Sequence, residues 1–236
     1  MKKITFLCWP KPFNDEAEYY PFQRNALLSW KSLPITEKIV VIGDEEGNKE
    51  FCEEYGFIHE PEVGEVNEFG TPYMKSILKQ GYKHCSPGDP VCYINSDILL
   101  GDDFSTVSEW FLDSPLVEQN YLCVGQRWDW KSPEGVDFEE EDWEDKVKNK
   151  ALSNGELMPT YAIDYFLHKA YSYPIENLPP LAMGRLHWDR WLLGYGIRNF
   201  NVIDFSELVL AIHHETSYML NNTKTSRETY NTSEEC

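Results

Sequence analysis

The chain has 236 residues, 42% hydrophobic and 14% aromatic, which is enough apolar content for a sizeable core and too much for a disordered chain. Its 40 acidic and 21 basic side chains give a formal net charge of -19, which argues against nucleic acid as a partner because phosphate contacts need a basic surface. No apolar run reaches the roughly 18 residues of a membrane helix, and the six cysteines form no CxxC pair that would support a zinc site or a disulfide framework.

Met1-Lys2-Lys3 followed by Ile4 to Trp9 is too short for a signal peptide and is interrupted by Pro10-Lys11-Pro12, so it reads as the first strand of a cytoplasmic protein. Gln23 to Leu33 sets Ala26, Leu27, Trp30 and Leu33 at helical spacing. Lys38 to Ile42 is a β-branched strand ending at Gly43-Asp44. Asn48 to Tyr55 predicts a short helix closed by Gly56, and Phe57-Ile58 another short strand. Thr71 to Tyr82 reads as a helix with Thr71 as N-cap and Pro72 at the first helical position. The apolar run Val91 to Ile94 predicts a buried strand that stops at Asn95-Ser96-Asp97. Such alternation argues for βαβ units, a largely parallel sheet and right-handed crossovers.

In the second half, Tyr121 to Gln126 predicts a strand and the acidic stretch Glu134 to Asp145 a solvated loop or helix face. Tyr161 to His168 reads as a strand, Trp188 to Leu193 as a helix start, and Phe200 to Asp204 and Leu208 to Ile212 as further strands. Neither a repeat nor a Pro/Gly linker divides the chain. The expectation is one domain, residues 1–220, and a polar tail, residues 221–236, whose two glycosylation-type triplets at Asn221 and Asn231 carry little meaning without a secretion signal.

Polar groups recur at the predicted strand ends: Gly43-Asp44, Asn95-Ser96-Asp97 and His213-His214-Glu215. A carboxylate at the end of a buried strand lies where open α/β sheets bind ligands. Asp97 is therefore a candidate ligand for a hard divalent cation, or else it caps the next segment or forms an Asx turn. Asp97 and one of the two histidines would leave positions on such a cation for diphosphate oxygens.

The segment Ala182 to Gly194, AMGRLHWDRWLLG, is a second cluster. Gly184 lets a ligand approach the backbone, and Arg185 offers a forked donor to phosphate or carboxylate. Trp188 and Trp191 share a helix face that can pack on a sugar ring, and Asp189 between them can take a proton from a hydroxyl. A core tryptophan pair with an Arg185–Asp189 salt bridge is the competing interpretation. In Glu68-Phe69-Gly70-Thr71-Pro72, a loop enters a helix; its N–H groups suit an anion or a polar ligand edge, or simply form a cap.

Taken in order, CWPKPF (Cys8 to Phe13), QRNALLSW (Gln23 to Trp30), VIGDEEG (Val41 to Gly47), NEFGTP (Asn67 to Pro72), YINSDILL (Tyr93 to Leu100), VGQRWD (Val124 to Asp129), AIDYFLH (Ala162 to His168), GRLHWDRWL (Gly184 to Leu192) and VLAIHHETSY (Val209 to Tyr218) resemble a GT-A-type nucleotide-diphospho-sugar transferase over roughly residues 4–220. The resemblance implies the GT-A fold, an α/β architecture with a Rossmann-like mixed, mostly parallel central sheet flanked by helices. It implies that Asn95-Ser96-Asp97 stands for the metal-binding Asp-X-Asp element with Asn at its first position, so that Asp97 carries the metal contact. His213 resembles the C-terminal histidine that completes a metal site, with His214 its neighbour. Asp189 lies where inverting members place the base.

By the same resemblance, the loop carrying Trp9 and Pro10, and Asp44, hold the nucleoside. Gly70, Thr71, Asn95, Ser96, Gly184, Arg185 and Trp188 complete the donor-binding set. The implied activity is Mn²⁺- or Mg²⁺-dependent transfer of a sugar from a UDP- or GDP-sugar donor to a hydroxyl of a carbohydrate or other acceptor. A non-catalytic nucleotide-sugar or glycan-binding module of the same fold is the alternative. A nucleotidyltransferase ranks third, because its usual Gly-rich loop is absent from Cys8 to Pro12.

Overall fold

A computed structural model describes residues 2–17, 19–131, 136–185 and 187–214. The tail from residue 221, with both glycosylation-type triplets, lies outside the described residues, as does Glu215.

β1 (Ile4–Cys8) is buried along its whole length and pairs in parallel with β2 (Thr36–Ile42), which pairs in parallel with β3 (Ile58–Glu60). On its other side β1 runs parallel to β4 (Pro90–Ile94). The sheet extends beyond β4 through β6 (Tyr121–Val124), β9 (Tyr165–Lys169) and β10 (Asn201–Asp204), in the order β10-β6-β9-β4-β1-β2-β3. β9 is antiparallel to both of its neighbours, β4 and β6, so the sheet is mixed but mostly parallel.

Both faces of this sheet are covered, which is why its central strands are continuous apolar runs rather than alternating ones. Phe6, Cys8 and Val41 point into one core with Trp30 of α1 (Tyr20–Ser32), Phe51 of α2 (Asn48–Tyr55) and Phe104 of α4 (Asp102–Leu112). Leu7, Val40 and Tyr93 point into the other, with Ile77 of α3 (Met74–Tyr82) and Leu192 of α6 (Trp188–Asn199). This is the expected Rossmann-like α/β architecture.

A second, smaller sheet escapes sequence reasoning. It orders β5 (Ile98–Leu99), β11 (Ala211–His214), β7 (Arg127–Trp130) and β8 (Glu156–Leu157), with α5 (Trp143–Asn154) packed beside β7. Its strands β5 and β8 are two residues each, too short to show a period.

Several boundaries also differ from expectation: the strand expected from Tyr161 begins at Tyr165, because Ala162 N turns back onto the Pro159 carbonyl at 2.8 Å. α3 starts at Met74 with no side-chain cap; Thr71 and Pro72 lie in an extended segment, where the Pro72 carbonyl accepts from Met183 N at 2.9 Å and Tyr73 bridges Ala182. That tertiary pairing overrides the local capping pattern. Leu208 and Val209 precede β11 because their N–H groups both turn back onto the Phe205 carbonyl at 2.9 Å. Cys8, Cys52, Cys92 and Cys123 are buried free thiols and Cys85 a half-buried one. No helix among the described residues is long and apolar enough to cross a membrane.

His168 of β9 is fully enclosed. Its Nδ1 donates to the Phe166 carbonyl at 2.9 Å, and its Nε2 accepts from the Tyr82 hydroxyl at 2.7 Å. Burial lowers its pKa to about 4 from 6.5, so the folded chain holds it neutral while the unfolded chain takes up a proton below pH 6.5. Stability from this group is therefore lost as pH falls from 6.5 to about 4, by on the order of 3 kcal/mol. Urea unfolding across that window should show His168→Gln with a flatter pH dependence than the wild type. Parallel curves would remove His168 as the cause.

Candidate functional site

The two sheets meet where β4 ends. Asn95, Ser96 and Asp97 fill the turn between β4 and β5, and Asn95 N donates to the Asp164 carbonyl at 2.9 Å just before β9 begins. In the small sheet His213 pairs with Ile98 on one side and with Asp129 on the other. This register places the β11 imidazole between the carboxylate of the β4–β5 turn and that of β7.

His213 Nε2 lies 3.5 Å from Asp97 Oδ2, and His213 Nδ1 lies 3.0 Å from Asp129 Oδ1. Arg127 Nε donates to the same Asp129 oxygen at 2.8 Å, and Arg127 Nη1 forms a short ion pair with Asp164 Oδ2. The other Asp164 oxygen accepts from Asn95 Nδ2 at 2.5 Å, so the contacts form a ring that returns to the Asn95-Ser96-Asp97 turn. The Asn at the first position of the Asp-X-Asp-like element thus has a structural explanation. Its amide donates to Asp164, where an Asp would set carboxylate against carboxylate.

Burial alone would depress the His213 pKa, but the Asp97 charge and the hydrogen bonds to Asp129 and Asp97 outweigh it and raise it to about 9. Burial likewise opposes ionisation of Asp97, yet His213, with Lys11 and Arg127 further off, holds its carboxyl below the usual range. Asp129 is lowered in the same way, against burial, by His213 and Arg127.

Could these residues hold a divalent cation? Asp97 Oδ1 is enclosed and lacks a hydrogen-bond partner, and His213 Nε2 faces the same carboxylate. The other imidazole nitrogen is already on a carboxylate, an arrangement typical of metal-ligating histidines. The oxygen and imidazole donors fit Mn²⁺ or Mg²⁺. Among the described residues, no group of three or more His, Cys, Asp or Glu side chains is arranged to hold a metal ion.

The other expected residues are held by contacts of their own. Ser96 is buried, and its hydroxyl donates to Gln23 Oε1 at 3.2 Å; the same oxygen accepts from Lys11 N at 2.7 Å, and Gln23 Nε2 donates to the Lys11 carbonyl at 3.1 Å. Gln23 of α1 thus ties the loop after β1 to the Asp97 turn. Within that loop Pro10 is buried, and Trp9 Nε1 donates to Glu45 Oε1 at 2.8 Å. Beside Glu45, Gly43 adopts φ +108°, and a Cβ there would come within 2.2 Å of Glu45 Oε2. Asp44 is exposed, with His59 Nε2 3.7 Å away. Trp9 and Asp44 therefore share one wall, next to the Asp97 centre rather than within it.

Gly70 and Thr71 belong to a turn organised by Asn67, whose Oδ1 accepts from Phe69 N at 3.0 Å and Thr71 N at 2.9 Å. The pairing of Pro72 and Tyr73 with Ala182 and Met183 brings this turn alongside Gly184 and Arg185. Arg185 Nη1 donates to its neighbour's carbonyl at 3.0 Å, while its Nε is enclosed without a partner. Asp189 stands in the first turn of α6 and is half-buried. Burial, reinforced by the Asp164 charge, raises its pKa against the pull of Arg190.

Trp188 is where the competing interpretation puts it. Only 6% exposed, it packs edge-on against Tyr93 at 5.5 Å and against Phe166 at 5.6 Å, so its ring fills the core instead of offering a face to a sugar. Trp191 stacks on Tyr195 at 5.2 Å. The side chain of His214 lies outside the described residues.

Sequence reasoning missed Arg127, Asp129 and Asp164, although all three lie in quoted motifs. A signal was available in Arg127-Trp128-Asp129-Trp130, whose alternation puts two charges on one face of a strand and two indoles on the other.

No family model matches the sequence, and no curated protein sequence matches it. The fold does match solved structures. The 1–349 segment of TarS from S. aureus has a TM-score of 0.54 at 12% identity, over 90% of this chain and 60% of that one. The inositol-1-phosphate CTP transferase from T. maritima has a TM-score of 0.50 at 11% identity, over 94% and 93% of the two chains. The chain thus spans about 60% of the TarS segment, and at these identities the likeness shows a shared fold.

Proposed function

We propose that this protein is a metal-dependent glycosyltransferase that moves a sugar from a nucleoside-diphosphate donor, a UDP- or GDP-sugar, to a hydroxyl of a carbohydrate or other acceptor. The observation that carries this reading is the approach of Asp97 and His213, from segments far apart in sequence, to 3.5 Å. The sequence resemblance supports it, and the fold shared with an inositol-1-phosphate CTP transferase is as compatible with it as with nucleotidyl transfer.

Asp97 and His213 would hold Mn²⁺ or Mg²⁺, which when bound supplies charge neutralisation for the diphosphate leaving group. Trp9, Pro10 and Asp44 form the nucleoside wall. Ser96 and Asn95 hold the turn that presents Asp97. Gly184 and Arg185 offer N–H donors to the anionic part of the donor, and Gly70 and Thr71, whose own N–H groups are taken by Asn67, shape the turn beside them. Asp189 accepts the proton as the acceptor oxygen bonds to the anomeric carbon and the bond from that carbon to the diphosphate breaks, with inversion.

The test is thermal shift with UDP- and GDP-sugars, with and without Mn²⁺, followed by turnover. The expected result is stabilisation that needs both nucleotide and metal, about 2.7 kcal/mol at a hundredfold excess over Kd, and is lost in Asp97→Ala. No response to any donor, with Asp97→Ala behaving like the wild type, would remove the proposal. Donor binding without turnover would favour the binding-module reading, which the engagement of Asn95 by Asp164 supports. Release of pyrophosphate from a sugar phosphate and a nucleoside triphosphate would favour nucleotidyl transfer.

A further inference from the structure

Asp129 has no place in the site as read from sequence, yet it links His213 to Arg127 and Asp164. The parallel pairing of β7 and β11 sets it directly beside His213. One of its oxygens, Oδ1, accepts from His213 Nδ1 at 3.0 Å and from Arg127 Nε at 2.8 Å. Arg127 also holds Asp164, which in turn holds the backbone and side chain of Asn95, two residues before Asp97. One polar network therefore fixes both the imidazole and the turn bearing the carboxylate opposite it.

The chemistry of the ring gives this network a definite consequence. A metal-ligating nitrogen must carry no proton, and a neutral imidazole carries its single proton on the other nitrogen. A carboxylate on Nδ1 requires the proton there. In the neutral ring that a metal would require, the lone pair is then on Nε2, which faces Asp97.

We infer that Asp129, braced by Arg127, is a positioning residue that holds His213 in the Nδ1–H tautomer with Nε2 presented beside Asp97 for metal ligation. This rests on the metal-dependent reading above. It adds a residue that touches neither metal nor substrate and acts only through the imidazole.

The experiment titrates Mn²⁺ alone into the full chain, without nucleotide, and follows free Mn²⁺ by electron paramagnetic resonance, with circular dichroism to verify folding. Asp129→Ala should weaken Mn²⁺ binding by about 10- to 100-fold. Asp129→Asn keeps an oxygen acceptor for both donors and should recover most of that loss, a rescue that a purely structural role of the charge would not show. In the Mg²⁺-loaded wild type, imidazole ¹⁵N spectra should find the His213 proton on Nδ1; this measurement decides the matter even if the alanine variant does not fold. Wild-type Mn²⁺ affinity in folded Asp129→Ala, or a proton on Nε2 of the Mg²⁺-loaded protein, overturns the inference. If Asp97→Ala loses Mn²⁺ in that case, the metal-dependent reading survives it. Unchanged Mn²⁺ binding in both Asp97→Ala and His213→Ala overturns the two together.

Discussion

Asp189→Asn is expected to lower the rate of sugar transfer by about 10²–10⁴-fold while leaving donor affinity unchanged. The amide has the shape of the carboxylate but cannot take a proton, so only a step in which the acceptor hydroxyl is deprotonated should suffer. Asp189 suits that step because burial, with the nearby Asp164 charge, makes its carboxylate more basic than an open one. Its place in the first turn of α6 opposes this only in part. Single-turnover rates with saturating donor, set beside donor Kd by titration, separate the two effects. An unchanged rate would reassign the base, and a weakened donor would move Asp189 into the donor site.

Arg127→Met is expected to destabilise the fold by about 3 kcal/mol, toward the low end for breaking a buried ion pair because the side chain keeps 19% exposure. The guanidinium lies between Asp129 and Asp164 and donates to both, and methionine fills similar volume without a donor. Removing it leaves two enclosed carboxylates facing each other, still bonded to His213 and Asn95 but without their shared cation. Arg127→Lys keeps the charge but cannot reach both with a planar fork, so it should fall between. Lys146, exposed and paired with Glu140 at 2.7 Å and Asp142 at 2.9 Å, provides the control. Urea midpoints should barely move for Lys146→Ala. An Arg127→Met midpoint as small as that control would show that the ring contributes nothing to stability.

Much of the large sheet can be read from the chain because burial on both faces leaves an unmistakable trace. Val91 to Ile94 is an uninterrupted apolar run and Ile4 to Cys8 is broken only by buried Thr5, and α2 ends at Gly56 in the left-handed conformation that glycine adopts at little cost. The start of α3 is misread because Thr71-Pro72 carries a good local capping signal that pairing with the Ala182 segment overrides. The small sheet is hidden because its pairings are long-range and two of its strands are two residues long.

The site divides along the same line. Asp97 and His213 can be suspected because each lies beside an apolar run, at a sheet edge where ligands bind. Arg127 and Asp129 sit inside a strand whose alternation resembles an ordinary half-exposed ribbon. Only the β11 register shows that the charged face meets His213. Trp188 illustrates the opposite error, since an indole at helical spacing fits a sugar platform and a core equally well, and its packing on Tyr93 and Phe166 selects the core.

The small sheet also governs how the centre comes into being during synthesis. β5 and β7 are joined only through β11, close to the end of the described chain. A ribosome must therefore deliver more than two hundred residues before the imidazole can arrive. Until then β5 and β7 each present an open edge, the kind of surface on which foreign strands add. Nascent chains halted just short of residue 211 should be selectively sticky.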